Sequence, residues 1–217
     1  MNAVYENLEL DSEEMLMEFF EKEGYKYKGL NVTIPYKETV IPFLDEIHAE
    51  ATEIGAVNTI KIEKDKAIGY NTDCYGFQQC IKPFLTNKHE KALVIGTGGA
   101  SKAVHYVLNK LGIEVIFISR KGTGVDNIYS YNSMNKNMID ACKLIVNCSP
   151  VGMAPYHDQE LNFPYKFLAS EHLVVDLIYN PEKTFFLQKS EKNGATILNG
   201  KSMLKEQALK SWEIWNE

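Results

Sequence analysis

The 217-residue chain is predicted to be an α/β protein whose two halves are organised differently, and three observations carry that expectation. In the second half, short and nearly continuous apolar runs (KALVI, IEVIFIS, KLIVNCS, LVVDLIY) alternate with helical segments. That is the pattern of a parallel sheet covered on both faces. The first half instead mixes single helices with a short hairpin, and a polar stretch over 86–91 separates the two.

Taken in order, residues 2–10 read as a strand and 11–23 as a helix. Asp11 with Glu14 forms a capping box, Met15, Leu16, Phe19 and Phe20 make one apolar stripe, and Gly24 closes the helix. GLNVTIPYK (29–37) begins as a strand and ends as a turn. Alternation puts Leu30, Val32 and Ile34 on a core face and Asn31 and Thr33 on the other. Pro35, lacking an N–H, ends the ladder. The second face reads either as the wall of a polar pocket or as solvated sheet, and Lys37 stands just past the strand end. A hairpin follows, 59–62 against 67–70, then a helix over 75–85 after Asp73. A last helix covers 202–215.

Composition narrows the function. Hydrophobic residues at 45% and charged residues at 24% belong to an ordinary globular protein. A net charge of −6 argues against a nucleic-acid partner. No apolar run nears the roughly 20 residues a bilayer requires. The four cysteines lack disulfide-framework or zinc spacing, and MNAVYENLEL has none of the features of a secretory signal. Both point to a reducing cytoplasm, so the sequons at Asn31 and Asn147 are set aside. The five histidines are scattered, without metal spacing.

The most informative local stretch is ALVIGTGGASKAVHYVLNKLG, residues 92–112. A strand runs into Gly96-Thr97-Gly98-Gly99, and a helix with apolar Ala100, Ala103, Val104, Val107, Leu108 and Leu111 follows. Glycines permit the tight turn and let backbone approach a pyrophosphate, whose charge the helix N-terminus favours. Ser101 replaces the third glycine of the usual fingerprint. This predicts a Rossmann-like dinucleotide-binding domain. An NAD site commonly ends the next strand with a carboxylate for the ribose 2′-hydroxyl; here stand Ser119-Arg120-Lys121. A guanidinium holds a 2′-phosphate bidentately, so NADP is expected over NAD. The alternative is that Arg120 and Lys121 are solvated loop charges.

GLNVTIPYK, IGAVNTI, GYNTDCYGF, VIGTGGASKA, NCSPVGM, DLIYNP and NGKSMLKEQA together resemble the shikimate dehydrogenase family, in family order and over nearly the whole chain. The resemblance implies a two-domain NADP enzyme interconverting 3-dehydroshikimate and shikimate: a small α/β substrate domain from 1–87 and 200–217, and a dinucleotide domain from 88–199. It implies Lys37 and Asp73 as the catalytic pair, and Thr33, Asn58, Tyr179 and Gln207 as substrate ligands. Gly96, Gly98, Gly99 and Ala100 resemble the phosphate loop, Ser119, Arg120 and Lys121 the 2′-phosphate segment, and Met203 with residues 151–153 a nicotinamide neighbourhood. Ser119 and Lys121 depart from the family's usual asparagine and threonine. Read without the resemblance, Asp73 is an N-terminal helix cap before it is a catalytic group, and Lys37 reads either as proton carrier or as charge stabiliser. The family normally opens with a strand, a Ser-x-Ser carboxylate grip and a helix before the segment resembling NAVYENLEL. For a chain naturally this short, the alternative is a non-catalytic or weakly active NADP-binding form that completes its sheet by association as a homodimer; quinate is a variant substrate within the dehydrogenase reading.

Overall fold

In the computed structural model, which describes residues 3–217, the apolar runs of the second half become a parallel sheet. Its strands are β5 (Lys91–Ile95), β6 (Glu114–Ile118), β7 (Ile128–Tyr129), β8 (Leu144–Asn147), β9 (Leu173–Asp176) and β10 (Thr196–Leu198), in the spatial order β10-β9-β8-β5-β6-β7. Alternation sorts each strand between two cores. Ala92 and Val94 of β5 pack with Ala103, Val104, Val107 and Leu108 of α4 (Gly99–Lys110). Leu93 and Ile95 pack on the opposite face with Ile139 of α5 (Lys136–Ala141) and Phe186 of α6 (Phe185–Lys192). Burying each of the larger of these side chains contributes roughly 1.5–3 kcal/mol, and this is why the runs lack polar alternation.

The first half builds a four-stranded sheet from β1 (Gly29–Asn31), β2 (Glu46–Ile47), β3 (Thr59–Glu63) and β4 (Lys66–Tyr70), ordered β1-β3-β4-β2. Lys64 and Asp65, both at positive φ (51° and 60°), make the two-residue hairpin loop, the turn that matches strand twist. Helices α1 (Glu13–Lys22), α2 (Ala49–Ile54) and α3 (Asp73–Ile81) accompany it. The final helix α7 (Lys201–Asn216) returns to this half, where the Trp215 indole N–H donates to the Ile60 carbonyl at 2.9 Å.

Packing of α3 on α7 depends on Gly76. A Cβ there would stand 2.6 Å from the Met203 carbonyl oxygen and 3.0 Å from Gln207 Cβ. Gly76→Ala should therefore push the helices apart, at about 1–3 kcal/mol. A thermal melt should fall by about 2–4 °C for each kcal/mol lost.

Several expectations are corrected. Residues 3–10 form no strand, and Val4 is 94% exposed; residue 2 lies outside the described residues. A strand needs a backbone ladder, and this segment meets the sheet through side chains instead, the Tyr5 hydroxyl donating to Asn31 Oδ1 at 3.2 Å. The helix cap is Ser12, whose hydroxyl accepts from the Met15 N–H at 3.3 Å, not Asp11. Glu23 ends that helix, and Gly24 opens a 3-10 turn. Ile34 points outward, 68% exposed, because the ladder already stops at Asn31 and a turn begins, with the Tyr36 N–H on the Thr33 carbonyl. The helix placed over 75–85 starts at Asp73 and gives way to a 3-10 turn at Lys82–Phe84. Of the helical segments expected between the apolar runs, α5 is present, but between β8 and β9 only a 3-10 turn forms, at Tyr165–Phe167; the short edge strands β7 and β10 and the helix α6 had no expectation attached.

Candidate active site

The turn after β1 carries Lys37, and the Val57 N–H donating to the Lys37 carbonyl at 2.7 Å ties it to the segment entering β3. Its Nζ donates to Asp73 Oδ2 at 2.6 Å. Both side chains are largely withdrawn from solvent, 14% and 8% exposed. Asp73 opens α3 without capping it; the Asn71 side-chain oxygen accepts from the Cys74 N–H instead, at 3.3 Å. The capping alternative is thereby set aside, and the Asp73 carboxylate is free for Lys37 and for the Asn58 amide, which donates to Oδ1 at 3.0 Å.

Asn58 joins three segments. Its Oδ1 accepts from the Thr72 N–H at 2.7 Å, and its Nδ2 also lies 3.0 Å from Thr72 Oγ1 and 3.3 Å from Gln207 Oε1 on α7. Thr59 and Ser211 share a hydrogen bond of 2.7 Å, and Asn31 Nδ2 donates to Ser211 at 3.2 Å. Thr59, Thr72 and Ser211 escaped the sequence reading. Only Ser211, four residues after Gln207 and so on the same helix face, carried a signal. The result is one ion pair in a field of neutral amides and hydroxyls, suited to a ligand rich in hydroxyl groups.

The parallel sheet supplies the opposite wall. Register sets Ile95 level with Ile118 and Asn147, and Asn147 level with Asp176, so the segments after β5, β6, β8 and β9 emerge along one edge. The chain leaves β5 toward β6 and returns to β8 on its other side, the switch point where α/β sheets bind ligands. Gly96 has φ +108°, and a Cβ there would lie 3.1 Å from the Cys148 carbonyl carbon. Gly98, the N-cap of α4, has open space where a side chain would be. Gly99 faces Lys37: a Cβ on it would stand 3.4 Å from Lys37 Cβ. Lys102, in the first turns of α4, bonds Glu38 at 2.5 Å. As a solvent-facing pair it contributes about 0.2–1 kcal/mol, and its effect is to align the glycine turn with Lys37. Ser101, at the third-glycine position, turns its hydroxyl back to the Gly98 carbonyl at 2.6 Å.

Ser119 Oγ accepts from the Lys121 N–H at 3.3 Å, and the turn holds Arg120 and Lys121 exposed past β6. Ala100 is half-buried in the first turn of α4. Thr33 is exposed, and its hydroxyl does not join the Asn58 cluster. Tyr179 is 51% exposed, in the segment between β9 and α6. Met203 is 7% exposed and packs in the core with Cys74, Phe77 and Cys80. Among the described residues no cluster of His, Cys, Asp or Glu is arranged to hold a metal, and no helix is long and apolar enough to cross a membrane.

Residues 1–60 match the family profile described as the shikimate dehydrogenase substrate binding domain. Over 222 residues the chain is 40% identical to shikimate dehydrogenase (NADP(+)) of Aquifex aeolicus, covering 100% of this chain and 81% of that one. The crystal structure of shikimate dehydrogenase from Aquifex aeolicus superposes with a TM-score of 0.82 at 37% identity, over 95% of this chain and 79% of that one. A shikimate dehydrogenase crystallised with NADP+ gives 0.79 at 31% identity, over 94% and 75%.

Proposed function

Because the chain belongs to the shikimate dehydrogenase family, we propose that it is an NADP-dependent oxidoreductase interconverting 3-dehydroshikimate and shikimate. One observation carries the reading. An ammonium and a carboxylate from distant parts of the chain meet at 2.6 Å directly beside the glycine turn of a parallel sheet.

The residues fit the cofactor. Gly98 leaves room at the N-terminus of α4 for a pyrophosphate, and Arg120, with Ser119 and Lys121, offers fork geometry for a 2′-phosphate. NADP, when bound, accepts the hydride of shikimate oxidation and donates it in the reverse direction. The chain handles what remains, the proton at the reacting oxygen. Lys37 and Asp73 hold and pass that proton, and the ammonium stabilises alkoxide charge as it develops. Asn58, Thr72 and Gln207 bind the ring hydroxyls, with Thr33 and Tyr179 at the mouth. Gly96, Gly99 and Ala100 complete the phosphate turn, and Met203 with residues 151–153 backs the nicotinamide side. In this reading 1–87 and 200–217 form the substrate domain and 88–199 the dinucleotide domain. Four free cysteines support a reducing cytoplasm. Among the described residues the outer edge of β1 pairs with no other strand, which supports a homodimer; light scattering would decide.

Absorbance of the reduced nicotinamide tests the activity. Shikimate with NADP should turn over faster than shikimate with NAD or quinate with NADP. NADP binding without turnover would favour a non-catalytic NADP-binding protein instead. Arg120→Ala should narrow the preference for NADP over NAD by about 10–100-fold, the worth of one charge-assisted hydrogen bond. Measured as the ratio of kcat/KM values, an unchanged preference would count against that assignment.

A further inference from the structure

We propose that Asp176 is a positioning residue for the cofactor-facing edge of the parallel sheet, a buried carboxylate that fixes the segments following β8 and β9. The inference rests on the NADP-dependent reading above and extends it. Asp176 is the last residue of β9 and is 0% exposed. Its Oδ1 accepts from the Asn147 amide at 3.0 Å and the Ile178 N–H at 3.2 Å, and its Oδ2 accepts from the Thr184 hydroxyl at 2.6 Å.

Each partner holds a different segment. Asn147 Oδ1 in turn accepts from the Ser149 N–H at 3.0 Å and hydroxyl at 2.7 Å. The Cys148–Ser149 backbone is what Gly96 rests on, so the order reaches the glycine turn. Thr184 caps α6, accepting from the Leu187 N–H, and its methyl would stand 3.2 Å from a Cβ at Gly152, whose φ is +107°. One carboxylate thereby organises residues 147–152 and 176–184 at the level where the dinucleotide turn emerges.

Stability does not account for this charge. Burial pushes the Asp176 carboxyl up to about 6, against the pull of its hydrogen bonds. A folded-state value above the unfolded one means the folded chain holds the proton more tightly. The favourable contribution is then complete at low pH and is lost as pH rises through about 6. Facing Asp176 are the neutral Asn147 and Thr184, the Cys148 thiol and the Tyr165 hydroxyl; the last two are held protonated, pushed up chiefly by burial. No cation among the described residues pairs with it. The ionised form is what accepts three donors at once; the protonated form must itself donate, and the arrangement loosens.

Asp176→Asn imitates the protonated carboxyl in size and neutrality. Isothermal titration with NADP near pH 7.5 should give a dissociation constant about 10-fold above wild type, the worth of a charged hydrogen bond. Near pH 5 the ratio of variant to wild type should approach one, because the wild-type carboxyl is then protonated as well; the titration of the cofactor's 2′-phosphate is common to both and cancels. The melting temperature near pH 7.5 should not fall, because a buried charge has been removed. A ratio of one near pH 7.5, or one unchanged between the two pH values, overturns the proposal. Should the variant fail to fold, Thr184→Val gives the same reading: with a donor lost, the acid-side weakening of NADP binding should move to higher pH, and a stationary midpoint overturns the proposal. Wild type that binds no NADP at either pH overturns the functional reading itself.

Discussion

Lys37→Ala should lower kcat for shikimate oxidation about 10²–10⁴-fold, the range supplied by a positioned proton-transfer group. The ammonium is held 2.6 Å from Asp73, so its removal takes away both the nearest cation and the hydrogen bond that orients the carboxylate. Asp73 is then left with Asn58 alone as a side-chain donor, at 8% exposure. Breaking a buried pair from one side typically costs about 3–5 kcal/mol, so the melt should also fall. Lys37→Ala combined with Asp73→Asn separates the two effects. Neutralising the stranded carboxylate should restore much of the melting temperature while leaving kcat low. KM for shikimate should move less than kcat, because Asn58, Thr72 and Gln207 still present their polar groups. A single variant with near-normal turnover would remove Lys37 from the chemistry.

The parallel half was legible because its physics is local. A strand buried on both faces must be apolar throughout, and KALVI, with Ala92, Leu93, Val94 and Ile95 all fully buried, declares that without reference to any partner. The first half was less legible because its strands are short and set by pairing. Residues 3–10 have the composition of a strand but make no backbone ladder with the β1 edge they lie near, and Ile34 looked like core only while the ladder was imagined to continue past Asn31. The site was readable in a different way. Lys37, Asp73, Asn58 and Gln207 were singled out by the motifs around them, whereas local physics made Asp73 a cap. Asn71 fills that role in the structure, an assignment two residues away that no spacing rule separates. Thr59 and Thr72 stayed hidden because a lone hydroxyl has no pattern of its own, and Ser211 offered only its helical spacing from Gln207. Asp176 stayed hidden because an aspartate after LVV reads as the place where a strand ends.

Gly98→Asp should abolish or severely weaken NADP binding while leaving the fold as stable as before. The two outcomes have separate causes at one position. Gly98 is the N-cap of α4 at φ −89°, a conformation any residue adopts, with nothing within 4 Å of a Cβ placed there. Aspartate is among the preferred N-caps, accepting from free helix N–H groups and complementing the helix dipole. The apo protein should therefore melt at the wild-type temperature or slightly above it. The same carboxylate occupies the space and satisfies the N–H groups that a pyrophosphate would use, and it adds like charge. Two unit charges about 4 Å apart repel by roughly 4 kcal/mol at the effective dielectric of a protein surface, which corresponds to a loss of about 10²–10³-fold in affinity. Titration with NADP and a thermal melt of the apo protein, done on the same preparation, measure both. A stable variant that still binds NADP with wild-type affinity would show that the pyrophosphate does not sit on this turn, and the assignment of Gly96, Gly98, Gly99 and Ala100 would fall with it.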